Sequence, residues 1–165
     1  MMSMFKNIIY CKIIYYMKIL DYYDSDFIKI HIEVINKAEV AIFNIKKSAP
    51  TEDEWGEFLK IFRQYYDYRL QNLKHKYIMM VNVQEMSLLS LTKLKQFVKI
   101  LKDNEEIIKE CAIYTVFVVS SSLVKQFLNF ALTIYKNKKP VFFKTDCEAV
   151  YKEIHDQIAQ EITNT

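Results

Sequence analysis

Two spacings of apolar residues alternate along this chain. In residues 27–34, FIKIHIEV, Ile28, Ile30, Ile32 and Val34 fall on one parity and Phe27, Lys29, His31 and Glu33 on the other. A period of two predicts a half-buried strand, with His31 on its polar side. INKAE reads as a turn and VAIFNI (40–45) as a second strand, so the two form an antiparallel hairpin. The period then changes. Trp55, Phe58, Leu59, Phe62, Tyr66 and Leu70 recur at helical spacing and predict one helix over about 51–72. Thr51 and Glu54, just after Pro50, form a capping box at its start. Tyr65, Tyr66 and Tyr68 lie too close together for all three to be expected to face inward.

YIMMVNV (77–83) and AIYTVFVV (112–119) are nearly unbroken apolar runs, the pattern of strands buried on both faces of a parallel sheet. Between them Leu91, Leu94, Phe97, Val98 and Leu101 mark a second helix, which KDNEE (102–106) breaks before Ile107 and Ile108. A third helical face comprises Leu123, Val124, Phe127, Ala131, Leu132 and Tyr135. After Lys136-Asn137-Lys138-Lys139-Pro140 comes a short strand, VFFK. Thr145 and Glu148 read as a second capping box, opening a last helix of Ala149, Val150, Ile154 and Ile158. A hairpin followed by alternating helices and strands implies an α/β fold with a mostly parallel sheet and right-handed crossovers. We divide the chain into an extended segment, 1–26, and an α/β domain, 27–160.

The first segment is apolar, but Lys6, Lys12 and Lys18 interrupt it well short of the roughly 18 clean residues of a spanning helix. Those lysines share one parity, with Phe5, Ile9, Cys11, Ile13, Tyr15 and Met17 on the other, which favours an added strand. The alternative is that Met17 is the true start. Membrane contact is the weaker reading, and a cytoplasmic protein is expected.

Composition removes whole classes of function. The chain has 1 Gly, Gly56, so it holds no Gly-rich phosphate loop and no dinucleotide fingerprint. A net charge of +3 is too mild to imply specific nucleic-acid binding. Cys11, Cys111 and Cys147 are far apart, and so are His31, His75 and His155, so neither a disulfide framework nor a metal or cofactor site is expected. The abundance of Ile, Lys, Asn and Tyr suggests an AT-rich genome, such as that of a large DNA virus or a parasite.

Candidate chemistry gathers at two strand-to-helix corners. MVNVQEMSLLSLTKL (80–94) offers Gln84, Glu85, Ser87, Ser90 and Thr92, and the other corner offers Ser120, Ser121 and Ser122. Ser87, Ser90 and Thr92 are phosphorylation candidates, since a helix start favours phosphate. Capping alone also requires this residue type, at about 1 kcal/mol per cap, and is the stronger account. His75 precedes the central strand and so lies at the opposite end from Ser87 and Ser90, which leaves no triad to propose. Lys74, Lys76, Lys136, Lys138 and Lys139 fall at the other edge of the sheet and predict a weakly basic rim.

From about 27 to 155 the order of elements resembles the STAS domain and the wider SpoIIAA-like superfamily, which includes anti-sigma factor antagonists. The matching features are IFNI, YIMMVNV, MSLLSLTKL, YTVFVVSSSLV, NKKPVFFKT and CEAVYKEI. The resemblance implies that fold and a regulatory, protein-binding role. The family's motif is an aspartate after the central strand and then Asp-Ser-Ser-Gly, whose first serine is phosphorylated. Here Asn82, Ser90, Leu91, Thr92 and Lys93 occupy those places, so the phosphoacceptor position carries leucine. The lipid-binding CRAL-TRIO domains are a second, weaker likeness, and would require an enlarged apolar cavity beneath the helix near 91–101. The expectation is therefore a non-catalytic regulatory or scaffolding module. It binds an unidentified protein through Gln84–Thr92 and Ser120–Ser122, with homodimerisation an open alternative.

Overall fold

The computed structural model describes residues 22–35, 38–71 and 75–163. Its six strands are β1 (Tyr22–Asp24), β2 (Ile28–Ile35), β3 (Ala38–Ile45), β4 (Lys76–Asn82), β5 (Ala112–Val118) and β6 (Val141–Lys144), and they lie side by side in chain order. Antiparallel pairs join β1 to β2 and β2 to β3, with Ile28 opposite Ile45 and Ile35 opposite Ala38. From β3 to β6 every pair is parallel. The hairpin and the parallel sheet are thus as the spacing predicts. Strand β1 falls within segment 1–26; the remaining expectations for that segment concern residues outside those described.

The helices are α1 (Glu52–Gln71), α2 (Leu91–Asp103), α3 (Glu105–Cys111), α4 (Ser122–Tyr135) and α5 (Cys147–Thr163). Right-handed crossovers that step steadily across a sheet put their helices on one face. Accordingly, one core cluster joins Ile30, Phe43, Met79 and Phe117 of the sheet to residues of α1–α4. The second sets Val40, Ile78, Met80, Val116 and Val118 against Val150, Ile154 and Ile158 of α5. Strands β4 and β5 are covered on both faces, which accounts for their unbroken apolar runs.

Aromatic packing dominates the first cluster. Phe62 stacks on Phe58 and Phe97, with ring centroids 5.7 and 5.2 Å apart, and meets Phe43 edge-on at 5.7 Å. Tyr65, Tyr66 and Tyr68 are all buried, contrary to expectation. Helix α1 contacts the sheet beneath it and α2 and α3 beside it, so its buried face is wider than one stripe. Tyr68 is also held at its tip, where its hydroxyl donates to Glu39 Oε1 at 2.9 Å.

Glu39 is a second departure. The turn read as INKAE is shorter, because β3 begins at Ala38 and carries Glu39 into the core at 1% exposure. The guanidinium of Arg69, fully buried, pairs with the Glu39 carboxylate through Nη1 and donates to the His75 carbonyl through Nη2. It also stands 4.7 Å over the Tyr77 ring. A charge placed in a strand at this depth requires such a partner.

The helix ends follow local chemistry, with one correction. The Thr51–Glu54 box is reciprocal: Thr51 N–H donates to Glu54 Oε2 at 2.7 Å, and Glu54 N–H donates to Thr51 Oγ1 at 3.2 Å. At α5, however, Asp146 Oδ1 accepts from Ala149 N–H at 3.0 Å, so Asp146 is the cap and Thr145 is not. A carboxylate is at least as good a cap as a hydroxyl, and it stands one residue nearer the helix. Asn104 ends α2 and precedes α3, within the predicted break.

Candidate partner-binding edge

In the parallel half of the sheet, the loops leaving β3, β4, β5 and β6 all emerge at the carboxyl ends of the strands. Each leads into a helix start. Both serine corners therefore lie on this edge, as the sequence predicts. Helices α2 and α4, which follow them, pack against one another.

Hydrogen bonds tie the β4–α2 loop to its neighbours on both sides. Ser87 donates both its backbone N–H and its hydroxyl to the Ser48 carbonyl, each at 2.8 Å, which links the loop to the one following β3. On the other side Gln84 Nε2 donates to the Thr145 carbonyl at 3.0 Å. Beneath it, Asn82 Nδ2 donates to Asn44 Oδ1 at 2.8 Å, and Asn82 Oδ1 accepts the Gln84 N–H at 3.1 Å. Asn82 thus acts as a turn residue that joins two strand ends.

Two of the predicted hydroxyls are caps. Ser90 Oγ accepts from Lys93 N–H at 3.2 Å at the start of α2. Ser121 Oγ accepts from Val124 N–H at 3.3 Å at the start of α4. Glu85, Thr92, Ser120 and Ser122 are exposed.

Sequence reasoning missed the apolar character of this edge. Leu91 and Leu123 were assigned to buried helix faces, yet they are 53% and 57% exposed. Each is within the first two residues of its helix, beyond the rim of the sheet that shields later turns. Leu88, in the loop, is 44% exposed. Spacing counts an apolar residue as inward, and only a helix's starting point relative to the sheet shows otherwise.

The titratable residues are brought together elsewhere. On the α5 side of β2, His31 Nε2 lies 2.9 Å and His155 Nε2 3.2 Å from the two carboxylate oxygens of Glu33, and the Tyr151 hydroxyl donates to the same group. Spacing had set these histidines apart. His75 lies at the amino end of β4, away from Ser87 and Ser90. Of the basic rim, Lys138 pairs with Glu105 at 3.2 Å, and Lys74 lies outside the described residues. Among the described residues no group of three His, Cys, Asp or Glu is placed to hold a metal ion, and no helix is long and apolar enough to cross a membrane.

No protein-family model matches this sequence, and neither does any curated protein.

Proposed function

We propose that this protein is a non-catalytic interaction module of the SpoIIAA-like kind, acting in the cytoplasm. It binds a protein partner through the carboxyl edge of its sheet. The observation that carries the reading is the exposure of Leu88, Leu91 and Leu123 on the edge that bears the serine corners. Apolar side chains ringed by hydroxyls suit the centre and rim of a protein interface. The bonds from Ser87 and Gln84 to neighbouring loops hold the surface in one shape, which lowers the ordering cost of binding. The sequential strand order, with four helices on one face, supports the likeness to the STAS fold. With leucine at the phosphoacceptor place, recognition rests on shape and apolar contact.

The test is affinity capture from host extract with the wild-type chain and with Leu91→Asp/Leu123→Asp, both checked for unchanged circular dichroism. Partners held by the wild type and lost by the variant support the reading. Equal capture by both chains removes it. Intact mass of the host-purified protein tests the switch separately: a phosphate on Ser87, Ser90 or Thr92 would replace constitutive binding with regulated binding.

A further inference from the structure

A cavity of about 120 Å³ lies between the sheet and α1, α2 and α4. It follows the strand direction, since β4 lines it at Tyr77, Met79 and Val81 and the chain continues to line it at Val83. Those positions span roughly 20 Å at about 3.3 Å per residue. Leu94, Phe97 and Leu101 of α2 form its roof, so it occupies the place where a lipid carrier would need space. Native cores leave few voids larger than a water molecule. At the amino end of the strands the wall includes Tyr135, which is 4% exposed. Its hydroxyl is buried and has no hydrogen-bond partner among the described residues. Leu132, Asn137 and Val141, at the same end, are only half-buried and form the route in.

These features constrain an occupant in three ways. Binding pockets for drug-sized molecules begin at roughly 300 Å³, so a two-chain lipid does not fit. An apolar cavity of roughly 150 Å³ takes up benzene, so about 120 Å³ sets the scale at about five or six non-hydrogen atoms. Three tyrosines line the cavity; the Tyr66 and Tyr77 hydroxyls bond to each other, so it is the Tyr135 hydroxyl that calls for an accepting oxygen, because a buried hydroxyl left unpaired is destabilising. Among the described residues no charged side chain lines the cavity, and the carboxylate of Glu105, near enough to act electrostatically on Tyr135, disfavours an anion there. We propose that this cavity binds one small, uncharged, mainly apolar molecule with a single oxygen, of the short-chain alcohol or ketone class. The oxygen accepts from the Tyr135 hydroxyl and the hydrocarbon lies along Met79 and Ala131.

Titration of the full chain with 1-pentanol and with benzene, followed by methyl NMR of Met79 and Ala131, tests this. Both probes are expected to bind saturably, one per chain. Tyr135→Phe removes only the hydroxyl and should weaken 1-pentanol about fivefold while leaving benzene within twofold. Ala131→Leu fills the space and should abolish both. The proposal is overturned if neither probe moves these methyl signals, or if Tyr135→Phe weakens the two probes alike or neither. Retention of both probes in a folded Ala131→Leu chain would also overturn it. Should that variant not fold, the Tyr135→Phe comparison decides alone.

Discussion

The two ends of the parallel strands are built on different principles. At the carboxyl end the bonded polar groups do local jobs: Ser90, Ser121 and Asp146 cap helices, and Asn82 and Ser87 shape a turn. At the amino end polar groups are buried among aromatic rings. Glu39 and Arg69 pair there, the Tyr65 and Tyr135 hydroxyls have no hydrogen-bond partner among the described residues, and Lys136 ends α4 in the left-handed region at φ 58°. The first end is stabilised by many small, exposed, independent contacts. The second depends on a few contacts that are expensive to lose.

High pH should separate the ends most sharply. Burial raises the ionisation of Tyr65, Tyr66 and Tyr77 above the usual tyrosine value, and all three sit near the amino end. The unfolded chain releases these protons near pH 10, while the folded chain retains them. Stability is therefore intact below pH 10 and falls as pH rises above it. Three such phenols together contribute a slope of about 4 kcal/mol per pH unit. Urea midpoints at pH 9, 10 and 11 measure it, and Tyr66→Phe should reduce the slope by about a third.

Arg69→Met comes next. It leaves the Glu39 carboxylate buried without its cation, at a cost of about 3–5 kcal/mol. Adding Glu39→Gln should recover much of that loss, because no charge then remains in the core. Denaturant unfolding of the four chains in this cycle gives the coupling. A loss below about 1 kcal/mol for Arg69→Met alone would mean that water reaches Glu39 and that the amino end is not dry.

The difference between the ends also explains what could be read from sequence. A cap is decided within four residues, so Thr51 was legible as one and both serine corners as helix starts, while the choice of Ser90 and Ser121 among their neighbouring hydroxyls was not; Asp146 was missed because Thr145 beside it fits the same motif. Strand period and the order of elements gave the sheet for the same reason. Glu39 and Arg69 are 30 residues apart and met only when α1 folded back over β3. Nothing near Glu39 marks it as buried, and a charged residue beside Asn36 and Lys37 reads as a turn. His31, Glu33, Tyr151 and His155 were hidden likewise, since a helix from the end of the chain completes that cluster. The exposed leucines failed in the opposite sense, because periodicity described their spacing correctly but not where the sheet ends.

Caps at the carboxyl end should give a smaller and more uniform response. Ser121→Ala and Asp146→Ala should each cost about 1 kcal/mol, whereas Thr145→Ala and Thr92→Ala should stay within about 0.5 kcal/mol. Thermal unfolding resolves the difference. A loss at Thr145 equal to that at Asp146 would restore Thr145 as the cap of α5.

The smallest effect should carry the opposite sign and lie at the amino end. Lys136 N–H donates to the Leu132 and Thr133 carbonyls at 2.9 and 3.3 Å, and this closes α4 with a left-handed residue. Glycine usually fills such a position, because a Cβ crowds the backbone there. This chain has a single glycine, Gly56, in α1, where an added Cβ would meet nothing within 4 Å. Lys136→Gly should therefore stabilise by about 0.5 kcal/mol, as relief of the left-handed strain is offset in part by glycine's greater freedom when unfolded. Gly56→Ala should stabilise by a similar amount through helix propensity alone. The two gains come from unrelated causes at distant sites, so they should add. A Lys136→Gly chain that melts no higher than the wild type, or a double variant no higher than Gly56→Ala alone, would show that α4 does not end at Lys136 in solution.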